Sequence, residues 1–144
     1  MRKALMATAV AAASLAAAFA AGAANNAATT KLEANLRGSN EKAPASNRGK
    51  TEIRLTPSTG KVCWETKITK IDGAPNASHI HKGGKGVSGN VVVPLGAGYK
   101  RQGCTTAAKS LVKAIIKHPG SYYVNVHNAK HPAGAMRGQL TRGT

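Results

Sequence analysis

The sequence predicts an all-β domain, an antiparallel sandwich or barrel with one short helix, on three observations. Several segments of about five to nine residues alternate apolar with polar side chains. Stretches rich in Gly, Pro, Asn and Ser separate them, as turns do. Only one stretch has helical periodicity, and neither an internal repeat nor the strand–helix–strand unit of a parallel sheet is present. The chain has 144 residues. Setting aside an N-terminal leader leaves roughly 120, the size of one domain.

After a polar tail at residues 25–30, Lys31 to Leu36 alternates weakly and opens the first expected strand. Gly38 to Gly49 is rich in Ser, Asn, Pro and Gly and reads as a loop. Thr51 to Leu55 alternates cleanly, with Ile53 and Leu55 on one face. The turn Pro57-Ser58-Thr59-Gly60 joins it in a hairpin to Lys61–Thr69, where Val62, Trp64, Thr66 and Ile68 share a face. A turn cluster at Asp72–Asn76 precedes a short strand, Ser78–His81. Lys82 to Gly89 holds glycines at 83, 84, 86 and 89 and reads as a flexible loop. Val91-Val92-Val93 is apolar on both faces, as in a fully covered strand. A loop over Gly96–Gly103 follows, then a helix from Thr105 or Thr106 to Lys117. Its apolar arc is Leu111, Val112, Ile115 and Ile116, with Lys109, Lys113 and Lys117 on another side. Pro119-Gly120 stops it, and strands at Tyr122–His127 and Met136–Leu140 flank a turn at His131–Gly134.

The N-terminus carries the pattern of a cleaved leader over residues 1–24. Arg2 and Lys3 form a positive start, Ala4 to Phe19 is uncharged, and Ala18-Phe19-Ala20 and Ala21-Gly22-Ala23 both fit a small-residue cleavage site. A membrane anchor is the alternative, but this stretch is alanine-rich and lacks a basic flank on its far side. The expectation is a periplasmic or extracellular protein without a transmembrane anchor. In an oxidising compartment the only two cysteines, Cys63 and Cys104, are expected to form one disulfide.

Charge limits the partners. The chain has 21 Lys and Arg against 5 Asp and Glu, a formal net charge of +16. Such a field attracts anionic envelope polymers. Aromatics are too few to build a stacking platform for single-stranded bases, so no nucleic-acid partner is expected. The carboxylates Glu33, Glu41, Glu52, Glu65 and Asp72 show no catalytic pairing, and no serine lies in G-x-S-x-G. The glycine run lacks the strand-before, helix-after setting of a phosphate loop. No catalytic residue is assigned.

His79-Ile80-His81 is the informative spot. On a strand both imidazoles project from one face, about 6–7 Å apart. His127 ends another expected strand and joins them if the two strands are neighbours. Neutral imidazoles suit copper, zinc, nickel or iron. The competing reading makes all three hydrogen-bonded structural groups at a sheet edge. His131 is kept as an outside fourth ligand.

Two stretches resemble a known family. His79-Ile80-His81-Lys82-Gly83-Gly84-Lys85-Gly86, then Gly89 to Leu95, resembles the central motif of CHRD (chordin-type) domains. Tyr122 to Asn128, then Pro132 to Leu140, is similar to the closing motif, and Leu36 to Glu41 to the opening. The likeness spans residues 31–141. It departs at Lys42-Ala43-Pro44, where an apolar-proline run is usual, and at His131, where a hydrophobic residue is usual. The resemblance implies a β-rich domain comparable to copper–zinc superoxide dismutase, which also presents an H-x-H pair to copper. Bacterial members are typically exported. Glu41 and Arg137 fall at motif positions and suggest a bidentate pair pinning the first loop to the last strand. The leading expectation is thus a non-enzymatic exported protein binding copper or zinc through His79, His81 and His127. An envelope-adhesion module docking on anionic polymer stands second, and a dismutase-like redox enzyme third, its ligand set being short.

Overall fold

The computed structural model describes residues 27–143, so the leader expectation lies outside the described residues. Eight strands follow in chain order: β1 (Thr30–Arg37), β2 (Arg48–Thr56), β3 (Lys61–Lys70), β4 (Pro75–Lys82), β5 (Val91–Pro94), β6 (Gln102–Thr106), β7 (Tyr122–Asn128) and β8 (Met136–Arg142). One helix, α1 (Lys109–Lys117), sits between β6 and β7. All strand pairs are antiparallel, in one sheet ordered β5-β4-β7-β8-β1-β2-β3-β6. The sheet curls into a half-barrel. Among the described residues, no helix is long and apolar enough to cross a membrane.

Connectivity explains the curl. Strands β3 and β4 stand five spacings apart in the sheet order, which on a flat sheet is about 24 Å. The link between them is residues 71–74, and so short a segment reaches at most about 18 Å. A flat sheet is therefore excluded.

Alternation fills the inside. Leu32, Leu36, Ile53, Leu55, Val62 and Ile80 are fully buried in one core. Helix α1 adds Val112 and Ile115, both fully buried, each contributing about 1.5–3 kcal/mol of transfer free energy. That burial holds the helix, because Ala108 at its start makes no side-chain cap and its first turn has no acid. Thr51 and Thr66, also buried, satisfy each other's hydroxyls at 2.9 Å.

Three expectations need correction. Residues 102–106 form strand β6 on β3 instead of ending a loop and starting the helix, which begins at Lys109. Pairing with β3, in direct register Cys63 to Cys104, overrides the local helical pattern. These two cysteines form a disulfide. Strand β5 is an edge, not a covered strand, and Val91 is 44% exposed. The glycine loop before it is pinned rather than loose: Gly83 N–H donates to Ser121 O, while Arg137 and Gln139 donate to the Gly84 and Gly83 carbonyls.

Candidate metal centre

Strand β4 lies between β5 and β7, and its two faces differ in chemistry. Ile80 faces the core; His79 and His81 face the other way, as period two requires. On β7 the same rule puts Val124 and Val126 in the core, and Tyr123, Asn125 and His127 on the polar side. Antiparallel register sets His81 opposite Tyr123, His79 opposite Asn125 and Ala77 opposite His127. His127 is therefore the diagonal neighbour of His79, within reach of a long side chain. The ring centroids lie 5.0 Å apart for His79–His127, 5.6 Å for His79–His81 and 6.0 Å for His81–His127.

One nitrogen from each of the three rings falls within 4.8 Å of the others. Nδ1 of His81 is 2.9 Å from the Gly89 carbonyl, and Nδ1 of His127 is 2.9 Å from the Pro132 carbonyl. A carbonyl only accepts, so both rings carry the proton on Nδ1 and leave the Nε2 lone pair free. Nε2 of His127 then accepts from Nδ1 of His79 at 3.2 Å. Nε2 of His81 is buried and has no hydrogen-bond partner among the described residues. Two nitrogens on a tetrahedral ion with bonds of ~2.0–2.1 Å lie about 3.3–3.4 Å apart. The 3.2 Å between His79 Nδ1 and His127 Nε2 is close to that chord. An ion could take the place of the hydrogen between them once His79 carries its proton on Nε2 instead.

Burial disfavours the charged form of two of the rings. Burial lowers the pKa of His79, helped by His127 and His81. Burial also lowers that of His81; the Gly89 hydrogen bond opposes this, while His127 and Arg137 reinforce it. The His81 ring stacks on Tyr123 at 4.8 Å with 8° between planes. Arg137, from β8 on the other side of β7, places its guanidinium 3.4 Å from the same Tyr123 ring. An imidazole, a phenol and a guanidinium thus form a stack across three strands.

The remaining candidates sit differently. His131 Nε2 donates to Asp72 Oδ2, 2.9 Å away, and is not part of the three-ring cluster. Asn47 and His131 hold the Asp72 carboxyl below its usual range. Glu41 approaches Arg137 at one contact of 4.0 Å, not the expected two-pronged pair. Arg137 directs Nη2 to Gly84 O and Gln139 Oε1 instead, and Glu41 accepts from Asn125 at 3.1 Å. Burial raises the Glu41 pKa, with Arg137 opposing. Both side chains also border a cavity of about 490 Å³ with Lys42, Lys130 and His131; the three clustered imidazoles do not line it. Sequence reasoning missed Tyr123, Asn125 and the Gly89 and Pro132 carbonyls. Alternation on β7 marks the first two, but no side-chain pattern marks the carbonyls.

A curled antiparallel half-barrel with three imidazoles gathered on the outer face of two adjacent strands defines a small β domain with a histidine centre. The chain belongs to the CHRD domain family: residues 32–140 match the model of the CHRD domain. No curated protein and no solved structure matches it.

Proposed function

We propose that this CHRD domain is exported through a cleaved leader and binds one transition-metal ion, copper or zinc, through His79, His81 and His127. The observation that carries the reading is the buried, unpartnered Nε2 of His81 within the three-nitrogen cluster. A buried polar atom left without a partner costs about 1–3 kcal/mol, which an ion accepting its lone pair would relieve. The two carbonyls that fix the tautomers serve as the outer support that ligating imidazoles commonly have. With the His79 proton moved from Nδ1 to Nε2, the ion would be held by three neutral imidazole nitrogens and any exogenous ligand it brings.

Metal analysis of protein purified without an affinity tag, after equilibration with copper or zinc, should give about one equivalent. The His79→Ala/His81→Ala variant should retain none. Equal content in both proteins would reject the centre. N-terminal sequencing of protein recovered outside the cytoplasm should begin near residue 25; an intact N-terminus there would reject cleavage.

A second role, attraction to anionic envelope polymer, is favoured by one further observation. The acids of this basic chain are concentrated, three of five standing in one row across β1, β2 and β3.

A further inference from the structure

Glu33, Glu52 and Glu65 sit directly opposite one another across β1, β2 and β3. Like charges so placed repel, and neighbouring cations offset the repulsion. Lys31 and Lys50 reach Glu33, Lys31 and Arg54 reach Glu52, and Lys67 and Arg101 lie near Glu65. Every acid of that face therefore has a cation within 4.0 Å, five cations to three acids. The other two acids are also engaged: Glu41 faces Arg137 and Asp72 faces His131. Most of the surplus of positive charge therefore lies elsewhere.

Helix α1 carries a regularly spaced part of it. Lys109, Lys113 and Lys117 are exposed and follow one another at four-residue steps. Each step advances about 6 Å along the axis, so three ammonium groups span about 12 Å of one flank. None has an Asp or Glu side chain within 4.0 Å. Arg142 continues the flank, donating to the Ile116 carbonyl at 3.1 Å and so covering the negative end of the helix. Like charges at this spacing weaken a helix. This one is kept by its buried side, with no acid supplied to relieve the repulsion.

We infer that this flank of α1, Lys109, Lys113, Lys117 and Arg142, is a docking surface for a linear polyanionic polysaccharide, one with a carboxylate on successive sugars. The inference rests on the anionic-polymer reading above and assigns it a place. A membrane surface fits less well. Interfacial helices sink an apolar face into lipid, whereas α1 buries Val112 and Ile115 in the core. The exposed large hydrophobics among the described residues, Val87 and Val91, are not on it. A hydrophilic chain with regularly spaced charge needs no such face.

The test is binding of purified full-length protein to polygalacturonate, measured by titration calorimetry across a series of salt concentrations. Lys109→Glu/Lys113→Glu/Lys117→Glu is compared with Lys70→Glu/Lys85→Glu/Lys100→Glu, which changes net charge equally at exposed positions. Circular dichroism checks that both fold. The helix variant should lose at least about tenfold in affinity and most of the salt dependence, and the control less than about threefold. Equal losses would overturn the assignment to α1 while leaving the anionic-polymer reading intact. No binding by the unaltered protein would sink both. Tighter binding to phosphatidylglycerol vesicles, or to single-stranded DNA, than to the uronate polymer would replace the proposed partner class and overturn the proposal.

Discussion

Replacing Cys63 and Cys104 by alanine should cost about 4 kcal/mol, and the fold says where the loss will be felt. The bond closes a separation of 41 residues. In the chain-entropy account a loop of that length restricts the unfolded chain by about 13 cal/mol/K, or about 4 kcal/mol at 25 °C. Little packing is lost besides, because Cys104 is exposed and Cys63 half-buried. The domain's whole stability is expected at about 5–15 kcal/mol, so the loss is a large fraction. Among the described residues, strand β6 is an edge that pairs only with β3, over five residues. Trp64 reports on that seam: its indole lies against Gly103, and Nε1 donates to the Lys100 carbonyl at 2.9 Å. Guanidinium unfolding followed by Trp64 fluorescence should move to lower denaturant by about 1 M. Far-UV circular dichroism, which averages the sheet, should move with it or lag behind. A variant whose midpoint stays within about 0.3 M of the unaltered protein would refute the reasoning.

Gly138→Ala should destabilise by more than about 2 kcal/mol, since a Cβ there would stand 2.3 Å from the Asn35 carbonyl oxygen and the three nearest atoms are all Asn35 backbone. Gly84→Ala, with nothing within 4 Å, should stay within about 0.5 kcal/mol in the same melts. Arg137→Glu should cost about 3 kcal/mol or more, because Arg137 is 4% exposed and bonded to Gly84 O and Gln139. Lys113→Glu, on the surface of α1, should cost far less; equal shifts in urea midpoint would remove Arg137 as a structural pin. Asp72 has a depressed pKa, so the stability it contributes is present above the ordinary carboxylate value of about 3.9 and is lost as pH falls through its folded value. The urea midpoints of the unaltered protein and Asp72→Asn should therefore converge between pH 5 and pH 2.5. A gap that stays constant would mean that the carboxylate's contacts with Asn47 and His131 add nothing.

Most of the strands were legible because period two is local information. Ile53, Leu55, Val62 and Trp64 fall on the buried face that alternation assigned them. Strand β6 was not legible, because Leu111 to Ile116 carry a strong helical pattern and the threonines before them are ordinary helix starters. Only the pairing of residue 104 with residue 63, a long-range contact, decides otherwise. The exposure of Val91 has the same origin: three valines look covered until the sheet order makes their strand an edge. At the site, His79 and His81 were read from spacing alone. Bringing His127 to them needed the β4–β7 register, which no pattern within either strand contains.

The scarcity of acid links the histidine centre to the rest of the chain. Imidazoles that ligate a metal are commonly held by a carboxylate, yet this protein has five acids and commits none of them to His79, His81 or His127. Backbone carbonyls of Gly89 and Pro132 take that place, so the orienting groups cannot be removed by changing a side chain. Glycine 89 offers another way in. A Cβ there would lie 1.6 Å from the Lys82 carbonyl oxygen and 2.7 Å from its carbon, so Gly89→Ala must push the two backbone segments apart. The carbonyl that accepts from His81 Nδ1 moves with residue 89, while all three imidazoles remain in the chain. On the proposed reading, zinc affinity should fall about 10–100-fold in calorimetry with the far-UV spectrum preserved. Gly84→Ala, in the same loop but in open space, should bind as the unaltered protein does. If Gly89→Ala keeps full affinity, the carbonyl does not orient the ring, and the tautomer argument for the centre fails with it.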